Sequence, residues 1–167
     1  MKRLLVTGAA AIVIGLAACG GGGSDSSDSG AAAGGATGAT TVAVKSIDGV
    51  GKVLVDSSGK ALYASDVEAD GKVRCTGACT SFWQPLTVDS AKPVAAGGVG
   101  MVGVTSRPDG AKQVTVDGKL LYTFSEDAPG KVEGNGFADD FDGRHFTWNA
   151  VLAGGDSAGS SRNDNGY

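Results

Sequence analysis

Few residues in this chain are equipped for chemistry, and they fall into three sets. The thiols are Cys19, Cys75 and Cys79. The only imidazole, His145, follows Asp139, Asp140 and Asp142 within a few positions. A third set lies in LLYTFSEDAPG, residues 120–130, where Tyr122, Phe124 and Asp127 bring a phenol, a ring and a carboxylate close together; Tyr63 stands in a related stretch, ALYAS.

Cys75 and Cys79 enclose three residues, CTGAC, and the expected reading is a structural disulfide. A bridge closing so small a loop contributes roughly 2 kcal/mol in the chain-entropy model. The rival readings are a metal pair or a redox pair. Zinc takes four ligands and only His145 is left as a further soft donor, while a thioredoxin-type motif separates its cysteines by two residues. No Cys-x-x-Cys-His segment offers haem attachment, and Met101 is a single methionine for a copper site. Asp139, Asp140 and Asp142 before Gly143 resemble a fragment of a calcium loop, but the bidentate Glu of such a loop is missing, so EDAPGKVEGNGFADDFDG (126–143) reads as a solvated acidic loop. His145 has the chemistry of a general base, yet no Ser or Cys nucleophile is marked by a motif. The expectation is therefore a protein with no cofactor and no enzymatic activity.

The elements that hold these residues come from two repeated segments. VAVKSIDGVGKVLVDSSGKALYAS (42–65) and VGVTSRPDGAKQVTVDGKLLYTF (102–124) match with an offset of 60 that falls to 59 after a shortened turn, so that Tyr63 corresponds to Tyr122. Further on, Trp83 in SFWQPL corresponds to Trp148 in FTWNAVL. β-Branched alternation broken by Asp-Gly, Ser-Ser-Gly and Pro-Asp-Gly predicts three short strands per copy, and the stretch around each Trp is expected to complete its own unit. The fold expected is all-β: two similar antiparallel β-meander repeats packed as one small domain, since a lone three-strand meander buries too little to stand alone. In a strand, Leu120, Tyr122 and Phe124 share one face, with Leu121 and Thr123 opposite. Tyr122 can then bury its ring and offer its hydroxyl at the edge of the core, and Asp127 is placed to accept backbone N–H groups in the turn that follows.

The two ends carry a different message. Lys2 and Arg3, an apolar stretch over 4–16, and Leu16-Ala17-Ala18-Cys19 look like a signal peptide (1–18) with a bacterial lipobox. Cys19 is then the lipidated N-terminus, and Gly20 in place of an Asp favours the outer membrane where the cell has one. Two acyl chains anchor firmly where one anchors marginally. Residues 19–41, rich in Gly, Ser and Asp, read as a flexible tether, and 154–167 as a disordered tail of the same composition. Between them lies the two-repeat domain, 42–153, with repeat one at 42–88, a linker at 89–101 and repeat two at 102–153. Without Lys2 and Arg3 the chain has 12 basic against 18 acidic side chains, a net charge of −6, which excludes a phosphate-backbone partner such as nucleic acid.

Tyr122-x-Phe124-x-x-Asp127 resembles the Tyr-x-(aromatic)-x-x-Asp motif of a family of bacterial lipoproteins built from a tandem secreted repeat of unknown function. Cys75-x3-Cys79 followed by Trp83-Gln-Pro85-Leu86, and GRHFTWNAV around Trp148, are similar to other segments of that family. The first copy departs from the motif, with Ser65 in the place of Phe124 and Glu68 in the place of Asp127, and the second copy has no cysteine pair. The resemblance carries a fold and a location but no activity. The function expected is a membrane-anchored envelope lipoprotein acting as a binding or structural module toward an envelope protein or glycan. The alternative is a metal-binding or redox accessory protein of the envelope.

Overall fold

A computed structural model describes residues 41–89, 92–154 and 156–158. Cys19, the signal peptide and nearly all of the tether lie outside the described residues, as does the tail from 159 onward. Within them the regular secondary structure is almost entirely strand, as the alternation requires.

Copy one contributes β1 (Ala43–Ile47), β2 (Gly51–Val55), β3 (Tyr63–Ser65) and β4 (Trp83–Pro85). Copy two contributes β5 (Val102–Ser106), β6 (Lys112–Val116), β7 (Lys119–Leu120), β8 (Tyr122–Phe124), β9 (Phe137–Phe141) and β10 (Arg144–Ala150). A 3₁₀ turn, Asp66–Glu68, and a four-residue helix α1, Cys79–Phe82, are the helical pieces among the described residues. The hairpins β1–β2 and β5–β6 are antiparallel and pair in matching registers. Asp117 and Gly118 join β6 to β7 with φ of 48° and 79°, and Asp142 and Gly143 join β9 to β10 with 51° and 73°. Positive φ at both central residues is what a two-residue hairpin turn demands, and Asp-Gly supplies it at low cost.

The expectation that each Trp strand completes its own unit is overturned. The five-stranded sheet runs β4-β8-β3-β10-β9, so the Trp83 strand pairs with copy two and the Trp148 strand with copy one. Trp83 stands opposite Phe124, and Trp148 opposite Ser65. Backbone bonds repeat the exchange: Leu86 N–H donates to Leu121 O at 2.9 Å, and Val151 N–H to Leu62 O at 2.8 Å. Tyr63 pairs with Tyr122 where β3 of copy one lies beside β8 of copy two. The physical reason is saturation: β2 and β6 are already flanked by their hairpin partners, and the edges of β3 and β8 are left for the remaining strands.

Two cores lie on opposite sides of this layer. Ala61, Tyr63, Leu120, Tyr122 and Phe124 enter one with both tryptophans, while Leu62, Ala64 and Leu121 enter the other with Val114, Val116 and Val151. The alternation read from LLYTF is thus the one observed. The linker at 89–101 is tied at its middle, since Thr41 N–H donates to Val94 O at 2.7 Å and Ala96 N–H to Val42 O at 2.9 Å. Just after the domain, Ala158 N–H donates to Ala150 O at 2.9 Å.

Candidate functional site

The motif residues meet across the two copies. Tyr63 Oη donates to Asp127 Oδ2 at 2.5 Å, and Glu133 N–H donates to Asp127 Oδ1 at 2.9 Å. In the mirrored position Tyr122 Oη donates to Glu68 Oε1 at 3.1 Å, and the same oxygen accepts Arg74 N–H at 2.5 Å and Cys75 N–H at 2.7 Å. Each copy therefore supplies the phenol for the other copy's acid. Asp127 does tie the loop after β8 as the turn chemistry implied, but through one N–H; its other oxygen holds Tyr63.

Both phenols, and both acids, are buried. The Tyr63 hydroxyl is pushed well above its ordinary pKa by burial and by the bond to Asp127. Tyr122 is raised by burial and by the negative charge of Glu68. Both stay protonated at neutral pH and act as donors.

Between the phenols runs a column of rings. Trp83 and Trp148 stack on each other at 4.1 Å, Phe124 lies against the outer face of Trp83 at 4.5 Å, and Phe146 against Trp148 at 5.7 Å. Tyr63 meets Trp83 edge-on at 5.4 Å, and Tyr122 meets Trp148 edge-on at 5.1 Å. Phe146 thus supplies the ring that Ser65, standing where copy two has Phe124, cannot. Offset stacks and edge-to-face pairs of this kind add to the burial energy of each ring.

Two participants escaped the motif search. Arg107, 4 % exposed, donates to Gln113 Oε1 at 2.6 Å, to Cys75 O at 2.8 Å and to the Tyr122 hydroxyl at 3.5 Å. Gln113, fully buried, donates in turn to Leu121 O at 2.8 Å. These residues occupy the places of Ile47 and Val53 in copy one. Two apolar inward positions become polar together, which is the signal that aligning the copies offers.

Cys75 and Cys79 form a disulfide, with both residues buried. Cys75 sits where copy two has Gly134, and a side chain at Gly134 would come within 2.8 Å of the Trp83 ring. Copy two therefore has no room for the bridge. The acidic segment 126–143 is corrected: it is not wholly a solvated loop, because Phe137–Phe141 is β9, the outer strand beside β10. Phe137 packs toward Phe124 and Phe141 toward Phe146, and that aromatic alternation outweighs the acidic composition. The three aspartates do not converge. Asp139 accepts the Trp83 indole N–H at 2.7 Å, Asp140 lies 3.1 Å from exposed His145, and Asp142 is in the turn. Among the described residues no three His, Cys, Asp or Glu side chains gather in one place.

What the arrangement does chemically is to hold the two copies together; the phenols, acids and rings of the motif bind one another. No curated protein and no solved structure matches the chain. Among the described residues no helix is long and apolar enough to cross a membrane. Residues 103–151, from β5 to the β-bridge that follows β10, match the model of a family described as a secreted repeat of unknown function.

Proposed function

We propose that this protein is a lipoprotein of the bacterial envelope, anchored through Cys19, whose domain is a non-catalytic binding module for an envelope partner, protein or glycan. The observation that supports it most is the closure of the motif upon itself. Tyr63, Tyr122, Glu68 and Asp127 are buried and hydrogen-bonded among themselves. A nucleophile or general base has to reach its substrate within hydrogen-bond distance, and the two phenols and both Asp127 oxygens are already engaged inside the motif. The lipobox and the secreted character of the matched family support an extracytoplasmic site, at the outer membrane where the cell has one.

The anchor is tested by Cys19→Ser in the producing cell. The variant is expected to remain unprocessed or to leave the membrane fraction; correct cleavage with continued detergent partitioning would overturn the anchor. The binding role is tested by incubating the purified chain with isolated envelope polysaccharide. Retention of intact polysaccharide fits a binding module, and release of fragments would establish catalysis instead.

A further inference from the structure

The two acids of the motif are not equally satisfied. Asp127 has a partner on each oxygen. Glu68 takes all three of its donors on Oε1, and Oε2 is buried with none. Ser65 Oγ, three residues earlier, is also buried without a partner. Both residues line a cleft of about 200 Å³ between β3, the 3₁₀ turn, β7 and β10, together with Ala64, Asp66, Ala69, Lys119, Leu120 and Asn149. Glu68 is 2 % exposed and Ser65 is 5 % exposed. A buried acceptor without a donor costs more than a typical made hydrogen bond returns, so native structures place such groups where something meets them.

We infer that this cleft is a subsite for a neutral hydroxyl-bearing ligand of monosaccharide size, one hydroxyl of which donates to Glu68 Oε2 and accepts from Ser65 Oγ. The inference deepens the binding-module reading and rests on it. Three features select the chemistry. The Glu68 charge already meets two backbone N–H groups and the Tyr122 hydroxyl, so its second oxygen calls for a donor and not for a full cation. The wall also carries one charge of each sign, Asp66 and Lys119, beside the Ser65 hydroxyl and the Asn149 amide, a lining that suits a neutral ligand able both to donate and to accept. Ala64, Ala69 and Leu120 offer an apolar side to the C–H face of a sugar. Copy two cannot build the same subsite, since Phe124 stands in the place of Ser65 and its acid is filled. Both oxygens are buried, so a contact to them requires the cleft wall to open locally.

The experiment is calorimetric titration of the full chain, purified in detergent, with D-glucose, N-acetylglucosamine, cellobiose and methylammonium chloride. Saturable binding of at least one of the three sugars is expected. Ser65→Ala should weaken it about fivefold and Glu68→Gln about tenfold, as the loss of one neutral and one charge-assisted hydrogen bond implies. Tighter binding of cellobiose than of glucose would identify a chain end, and equal binding a free sugar; both support the subsite. Glu68→Gln also touches the Tyr122 bond, so Ser65→Ala, which leaves that bond in place, decides the matter should the first variant fold poorly. The subsite is overturned by the absence of saturable sugar binding, by sugar binding that Ser65→Ala leaves unchanged, or by binding of methylammonium alone. Retained polysaccharide with no sugar effect at Ser65 would remove this subsite and leave the module reading standing. Sugar turned over at the cleft would do the reverse.

Discussion

Tyr63 with Asp127 and Tyr122 with Glu68 are the same device built twice with different parts. In the first pair a short acid reaches one phenol at 2.5 Å and one loop N–H, and nothing further is needed. In the second the acid is one methylene longer and its phenol stands at 3.1 Å. Around that pair gather the Cys75 backbone, the Cys75–Cys79 bridge and the buried Arg107. A buried carboxylate is costly, and the N–H groups of Arg74 and Cys75 join the Tyr122 hydroxyl in offsetting that cost. The difference teaches that the shared requirement is the crossed phenol–acid contact. The bridge of copy one and the arginine and glutamine of copy two gather around the longer acid.

If each copy completes the other, damage to either tryptophan should reach the whole domain. Trp83→Ala and Trp148→Ala are each expected to cost about 3–5 kcal/mol, the usual range for truncating a large buried aromatic. In thermal melts of the full chain followed by near-ultraviolet circular dichroism, each variant should unfold in a single transition. Two transitions in either variant, with half of the domain surviving, would mean that the copies fold independently and that the strand exchange does not couple them.

The next largest effect is alkaline. The ordinary phenol pKa is 10.0, and both buried tyrosines lie well above it in the folded state. A folded pKa raised above the unfolded one gives stability that is complete below pH 10 and is lost as pH rises from there toward the folded value. Near pH 11 each phenol should withdraw about 1.4 kcal/mol, one pH unit of differential protonation. Urea titrations at pH 8, 10 and 11 should therefore show a fall that is larger in the last interval than in the first and halved in Tyr63→Phe. A flat profile to pH 11 would mean that the phenols ionise as readily in the folded chain as in the unfolded one.

Much of this architecture could be read from the residues alone, and the failures have specific causes. The alternation of Leu120, Tyr122 and Phe124 against Leu121 was visible because side chains in a strand point alternately to opposite faces. The Asp117-Gly118 turn was visible because few residue pairs tolerate positive φ twice in succession. The exchange of the Trp strands was not, since alternation says which face a strand buries and nothing about which of two similar edges it joins. β9 was missed because Asp139 and Asp140 hid the spacing of Phe137 and Phe141 within an acidic segment. Arg107 was hidden by its neighbours: Pro108, Asp109 and Gly110 announce a turn, and a buried guanidinium is not expected beside one.

The smallest effect is the sharpest test of the comparison between the pairs. Tyr63→Phe removes one of the two donors to a buried carboxylate and leaves Asp127 Oδ2 bare, so a cost of about 1.5–3 kcal/mol is expected for a charge-assisted bond. Tyr122→Phe leaves Glu68 Oε1 with the N–H groups of Arg74 and Cys75, and the bond lost is the longer one. Its cost should be nearer 0.5–1.5 kcal/mol. Both variants keep the ring, so the edge contacts to Trp83 and Trp148 remain and do not confuse the comparison. Chemical denaturation at pH 7, with equal denaturant slopes for the two variants, gives the difference directly. Equal losses would show that the extra donors around Glu68 do not relieve it. A larger loss for Tyr122→Phe would move the weight to Arg107, whose guanidinium lies 3.5 Å from that hydroxyl and would lose the bridge that joins it to the acid.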